Sequence, residues 1–360
     1  MQLNKKTFTD YREYPEKVLQ FGEGNFLSCF VDWMFHRLNR AGAFNGSVVA
    51  VQPIERGMVD LLNAQDGLYT VYLRGLKAGQ PESTHETVDV ISRGINPYTE
   101  FAAYLQTAEN PDMRYVVSNT TEAGITYSET DMPTDAPPAS FPAKLAVWLH
   151  HRFTTFNGDN TKGVHIIPCE LIEKNADNLK RVLLQLSERW GYEEQFTDWL
   201  QTACTFSNTL VDRIVPGYPA TRMEEITKEL GYEDKQVVEG EPFHLWVIEA
   251  PESLQQELPF PSIGLDVLYV PDITPYRTRK VRILNGAHTT LVPVAYLYGI
   301  DTVREAVEDA VIGKFLRSAI FEEIIPTLDL PKEELEQFAA EVIDRFRNPY
   351  IKHQLLSIAL

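Results

Sequence analysis

The sequence predicts an α/β chain. A mostly parallel sheet with helices on its faces is expected over residues 1–275, followed by a mainly α-helical region over 276–360. Three observations predict this. A strand, a glycine turn, a helix and a second strand follow one another in "KVLQFGEGNFLSCFVDWMFHRLNRAGAFNGSVVAVQP". Apolar strand-like runs then alternate with helix-like segments up to about Asp272. From Thr274 the strand signals fade and helical patterns take over. Parallel strands need long crossovers, usually helical, so this alternation is what such a sheet requires.

In order, Lys17–Phe21 reads as a short strand, Gly22 and Gly24 as a turn, and Phe26 to about Leu38 as a helix stopped by Gly42. Val48–Val51 is apolar without alternation, the pattern of a strand buried on both faces. "GLYTVYLRGLKAGQPESTHETVDVISRGINP" places two β-rich runs about a polar turn, an antiparallel hairpin. "MRYVVSNTTEAGI" and "KGVHIIPCELI" are further strands, with "AKLAVWLHHRF" and "ADNLKRVLLQLSERWG" as helices after them. "FHLWVIEAP" and "GLDVLYVPD" are two late strands. "DTVREAVEDAVIGKFLRSAIFEEIIPTL" and "LPKEELEQFAAEVIDRF" are helical, the second with Pro331 near its start and acidic residues in its first turn. The closing "IKHQLLSIAL" is apolar and uncapped, which reads as a helical region truncated at this point.

Charge and composition narrow the function classes. With 51 acidic against 33 basic residues the net charge is −18, a field that repels phosphate backbones, so no nucleic-acid partner is expected. Cys29, Cys169 and Cys204 are few and far apart, which suits a reducing cytoplasm rather than a disulfide framework. There is no apolar leader, no membrane-length apolar run and no strong zinc motif, so the expectation is a cytoplasmic enzyme with no membrane partner and no metal. Oligomeric state is not legible.

Phe21-Gly22-Glu23-Gly24-Asn25-Phe26 leaves a strand and opens a helix. In a dinucleotide-binding turn the first glycine allows the tight bend, the second lets backbone approach the pyrophosphate, and the helix N-terminus holds the negative charge. The third glycine of that fingerprint is replaced by Leu27. A ligand-free strand-to-helix turn has the same spelling, and the second strand at the right distance favours the Rossmann-like reading. Gln52 falls near the end of that second strand, where an acidic residue ordinarily grips the ribose, and Glu55 lies three residues further, so these residues leave NAD and NADP both open.

"RTRKVRILNGAHTTLVPVAYLYG" places Lys280, Asn285 and His288 within nine residues. On an α-helix at about 100° per residue, Asn285 lies about 140° and His288 about 80° round from Lys280, so the three share one half of the helix. A solvated basic turn gives the same spacing. The chemical alternative is coherent: a lysine with a pKa lowered by neighbouring cations can act as general base for a hydroxyl proton, and an amide can stabilise the oxyanion.

These pieces together resemble the polyol-specific long-chain dehydrogenases, the mannitol dehydrogenase family. "GEGNF" is similar to its glycine turn, and "QDGLYT", "FSNTLVDRIVP" and "EPFHLWVIE" fall in family order. "KVRILNGAH" is similar to its Lys-x4-Asn-x2-His motif. The resemblance implies NAD-dependent chemistry without a metal. It makes Lys280 the general acid/base, Asn208 and Asn285 the polarising amides and His288 the residue that orients substrate. Cofactor contacts fall on Phe21, Gly22, Gly24, Asn25, Phe26 and Gln52. Within the family "QFGEGNFL", "VQPIERG" and "VSNTTEAGI" resemble members acting on keto-uronic acids, so the implied partner is a small sugar acid. Arg277 and Arg213 (of "VDR") are candidates for its carboxylate, although Asp212–Arg213 also reads as an internal ion pair. Fructuronate reduction, mannitol 2-oxidation and non-catalytic nucleotide binding stay open. The family also implies further helical residues beyond Leu360.

Overall fold

The computed structural model describes residues 1–77, 80–121 and 124–359. The tip of the expected hairpin at Ala78–Gly79, part of "NTTEAG" and Leu360 lie outside them. Twelve strands occur among the described residues: β1 (Glu16–Phe21), β2 (Ser47–Val51), β3 (Tyr69–Lys77), β4 (Gln80–Val88), β5 (Ile91–Ile95), β6 (Tyr115–Ser118), β7 (His165–Pro168), β8 (Thr205–Phe206), β9 (Thr209–Asp212), β10 (Val238–Gly240), β11 (Leu245–Glu249) and β12 (Val267–Val270).

The main sheet runs β5-β2-β1-β6-β7-β8, and each of its pairings is parallel. The chain leaves β1 toward β2 on one side and later returns to β6 on the other, so strand order reverses at β1. The crevice outside the carboxyl ends of strands at such a switch point is where open α/β sheets bind ligands. Every residue of β2, β6 and β7 is buried, as both-face coverage of a parallel sheet demands. The helix Phe141–Thr155 starts on a Ser140 cap with Pro142 in its first turn. The helix Asn175–Trp190 ends on Gly191 in the left-handed region. Two shorter helices that the sequence reading passed over, Glu194–Thr202 and Met223–Leu230, bury Phe196, Trp199 and Leu200 and Ile226.

The two late strands do not extend the main sheet. They form a second one, β12-β11-β9, in which Trp246 of β11 pairs in parallel with Val267 and antiparallel with Val211. The main sheet ends instead at the two-residue strand β8. A third sheet runs β10-β3-β4.

The chain divides into two compact units. The first comprises Met1–Tyr72, His85–Gly240 and His244–Pro271, and the second Leu73–Thr84, Glu241–Phe243 and Asp272–Leu360. In the first, Phe21 lies 4.9 Å from Phe141 and 6.1 Å from Tyr104, ring centre to ring centre, in a core shared with Trp148 and Leu149. The second is built on helices, with Ile283, Leu291, Val303, Leu316, Phe338 and Val342 in its core. Its helix Val303–Glu308 begins with a reciprocal cap between Thr302 and Glu305. Glu241 and Arg345 form a buried ion pair there. No helix among the described residues is long and apolar enough to cross a membrane.

Candidate active site

The glycine turn sits at the carboxyl end of β1. Gly22 has φ +119°, and a Cβ there would meet the Asn119 carbonyl oxygen at 3.0 Å, so both conformation and space call for glycine. Gly24 differs: a Cβ on it would meet no protein atom within 4 Å. The helix that begins at Asn25 has no side-chain cap, which leaves its first N–H groups to be met by a ligand or solvent. It continues from Asn25–Leu27 through a π turn, Ser28–Asp32, into Trp33–Arg40. An open glycine, an uncapped helix start and a strand-order switch fit a dinucleotide pyrophosphate. Phe21 contributes backbone only, its side chain being fully buried in the core. Phe26 stacks on Phe30 at 5.0 Å.

Gln52, at the end of β2, is buried, and its Nε2 donates to the carbonyls of Ile54 (3.0 Å) and Glu55 (2.9 Å). Its amide protons shape the loop after the strand. Beneath the turn lies an acid that the sequence reading passed over. Asp32 is fully buried, accepts from Gln20 Nε2 at 3.1 Å and lies 3.4 Å from Tyr69 Oη. Burial pushes its carboxyl up to about 7, against those hydrogen bonds. The signal was an aspartate within the apolar run "FLSCFVDWMF". Glu170, also passed over, closes the end of β7: its carboxylate accepts from Ser118 Oγ (3.0 Å), Thr120 N (3.0 Å) and Thr120 Oγ1 (2.9 Å). Burial raises its pKa.

Asn208 is buried at the start of the helix Asn175–Trp190. Its Oδ1 accepts from the backbone N–H of Ala176 and Asp177 at 3.1 Å each, and its Nδ2 donates to Asp177 (3.2 Å) and Glu249 (3.3 Å). Arg213 is 6% exposed; its Nη1 donates to the Cys29 carbonyl at 2.5 Å and its guanidinium lies 4.4 Å from the Trp33 ring. In "QDGLYT", Gln65 and Thr70 both bind the Asp234 carboxylate, which anchors the start of β3.

In the second unit the Lys–Asn–His segment is not a uniform α-helix. Helix Thr274–Lys280 passes through a π turn, Val281–Asn285, into helix Gly286–Tyr298, with the Gly286 N–H reaching back to the Val281 carbonyl. A π turn absorbs one extra residue, so the phase is set back by about 100° from the uniform helix assumed above. One consequence is visible. Arg277, Val281, Asn285 and Thr289 all line one groove of about 650 Å³, with Glu323 and Thr327 opposite. In a plain α-helix residues twelve apart drift by about 120°; the π turn takes back most of this and keeps the row in line.

His288 lines a different, more apolar groove of about 320 Å³ with Val292, Pro293, Tyr296, Leu356 and Ile358. Its ring stacks on Phe346 at 4.4 Å and meets His353 edge-on at 5.3 Å. Asn285 and His288 therefore belong to adjacent grooves of the same unit. Lys280 is half-buried at the last position before the π turn.

A strand-order switch with an open glycine turn, in one chain with a helical unit that carries Lys280, Asn285 and His288, fits a dinucleotide-dependent dehydrogenase. The family comparison makes the assignment. The profile of the mannitol dehydrogenase Rossmann domain matches residues 16–262, and that of the mannitol dehydrogenase C-terminal domain matches 272–360. The chain belongs to the mannitol dehydrogenase family and is an NAD-dependent oxidoreductase acting on CH–OH groups.

Among similar proteins, altronate oxidoreductase of Bacillus subtilis is 51% identical over 359 residues, covering 100% of this chain and 74% of its own length. Altronate oxidoreductase of Phocaeicola vulgatus is 51% identical over 99% of this chain and 74% of its own. That of Escherichia coli O7:K1 is 52% identical with the same coverage. Two solved structures share the fold. A substrate-free D-sorbitol dehydrogenase has a TM-score of 0.83 at 23% identity, covering 100% of this chain and 77% of that one. Mannitol 2-dehydrogenase of Pseudomonas fluorescens, in complex with NAD and D-mannitol, has a TM-score of 0.81 at 22% identity, covering 99% and 76%.

Proposed function

We propose that this chain interconverts D-altronate and D-tagaturonate with NAD as cofactor, in the cytoplasm. The observation that carries the reading is identity of 51–52% with altronate oxidoreductases, held over essentially the whole chain. Phe21 and Gly22 shape the turn, and Gly24, Asn25 and Phe26 present backbone to the pyrophosphate. Bound NAD supplies the hydride acceptor for the alcohol, and NADH the donor for the ketone.

The chain supplies the proton chemistry and the orientation. Lys280 Nζ takes the hydroxyl proton during oxidation and returns it during reduction. The Asn285 amide, exposed on its groove, donates to the oxygen that gains charge. His288 orients a substrate hydroxyl. Arg277, in the same row as Asn285, pairs with the substrate carboxylate. Asn208 and Arg213, both engaged within the first unit, act by holding framework: Asn208 fixes Glu249 and a helix start, and Arg213 fixes the backbone at Cys29.

The test is NADH oxidation with tagaturonate, fructuronate and fructose in parallel, repeated with NADPH. Tagaturonate is expected to give the highest kcat/KM. Faster turnover of fructuronate or fructose rejects the substrate assignment in favour of fructuronate reduction or mannitol 2-oxidation.

A further inference from the structure

A dinucleotide-binding sheet ordinarily places an acidic side chain at the end of its second strand, where it accepts hydrogen bonds from the adenosine ribose and repels a 2′-phosphate. Here that position is Gln52, whose two amide protons are spent on the Ile54 and Glu55 carbonyls. We infer that the missing carboxylate is supplied from the glycine turn by Glu23, which makes Glu23 the residue that selects NAD over NADP. The inference rests on the cofactor reading above.

Three observations place it. Glu23 Oε1 accepts from the backbone N–H of Met58, in the loop that follows β2, at 3.0 Å. The loop has Gly57 where the two head groups meet: a Cβ there would lie 2.1 Å from Glu23 Oε1 and 2.4 Å from Gln52 Oε1. A side chain at position 57 would have to push these two head groups aside, so glycine leaves the turn carboxylate in place against the end of β2 beside Gln52. Gly24, next to Glu23, opens onto free space, so a ligand can approach the same turn without a backbone shift. Partial burial also raises the pKa of Glu23, against the Met58 bond. The carboxylate is met by the Met58 N–H and by its own backbone N–H, and its remaining lone pairs can accept from a ribose diol. Its charge opposes a phosphate placed at the same spot.

Direct titration of NADH and NADPH fluorescence on wild type, Glu23→Gln and Glu55→Gln tests this. Glutamine keeps an oxygen for the Met58 N–H, so the loop anchor survives while the charge is lost; a thermal melt beside the wild type checks that it has. The wild type is expected to favour NADH, Glu23→Gln to lower the NADH/NADPH affinity ratio at least tenfold, and Glu55→Gln to leave it within twofold. A ratio unchanged in Glu23→Gln, or a drop produced by Glu55→Gln instead, overturns the assignment to Glu23 while leaving NAD binding intact. A wild type that binds neither nucleotide overturns the cofactor reading and this inference with it.

Discussion

Arg345 grips Glu241 in the interior of the second unit. Its Nη2 lies 2.7 Å from Oε1, and its Nε lies 3.1 Å from each carboxylate oxygen. The side chains are 6% and 2% exposed. The guanidinium also lies 4.0 Å from the Phe243 ring. This pair ties the short stretch Glu241–Phe243 to the helix Lys332–Phe346. Removing one partner breaks a buried ion pair, so Glu241→Ala and Arg345→Ala are each expected to lower stability by about 3–5 kcal/mol. Denaturant unfolding of the two single variants and the double variant checks it, and the double variant is expected to be less destabilised than the sum.

The two glycines of the turn are expected to separate structure from binding. Gly22→Ala forces a Cβ toward the Asn119 carbonyl at positive φ, which costs about 1–3 kcal/mol and lowers the melting temperature. Gly24→Ala meets no protein atom, so the melt is expected to hold while NADH affinity falls at least tenfold. Melting curves and fluorescence titration of both variants decide the matter; equal affinity losses with equal melts would remove the distinction.

Lys280→Ala is expected to bind NADH as the wild type does and to lose about 10²–10⁴-fold in turnover, the range for a general acid or base. Single-turnover NADH oxidation with tagaturonate reads the chemical step apart from binding. Loss of NADH binding with turnover per bound cofactor preserved would place Lys280 outside the proton transfer.

Asp32 makes stability depend on pH. Its folded pKa is raised to about 7 from 3.8, so the folded state favours the protonated form. That contribution is complete at low pH and is lost progressively between about pH 4 and pH 7, where the unfolded carboxyl is already ionised. Asp32→Asn stays neutral. It is expected to match the wild type in melting temperature near pH 4 and to exceed it by a few degrees, on the order of 5 °C, at pH 8. A melting difference that is the same at both pH values would show that the carboxyl ionises freely in the folded protein.

The parallel sheet was legible because local pattern and tertiary role agree in it. Val48–Val51 and Tyr115–Val117 are continuously apolar and are buried throughout. The late strands were legible as strands but not as a separate sheet. A run such as "LWVIE" says that it is buried and not which neighbour it pairs with, and here β11 chose β12 and β9. At the candidate site the residue types could be read from the sequence and the helical phase could not. Nothing in "KVRILNGAH" announces a hydrogen bond to the fifth residue back, because a π turn is a property of how the helix packs. Glu23 was hidden for a related reason: its relation to Met58 and Gly57 depends on two loops being brought together by β1 and β2.

The π turn at Val281–Asn285 has a further consequence. It makes this stretch of chain tolerant of one particular change in residue number. Deleting one residue there would let the segment relax to an ordinary α-helix, with its hydrogen bonds intact and each named side chain still present. Everything downstream would keep its angle to Arg277, because eleven residues of plain α-helix turn through about the same angle as twelve that include a π turn. Such a deletion would leave composition and helix content nearly unchanged and would keep Thr289 in the row it shares with Arg277. The interval between Lys280 and Asn285 is thus where the fold can lose one residue without re-aiming the helix that follows, whereas a single-residue gap on either side that leaves the π turn in place would turn the rest by about 100°.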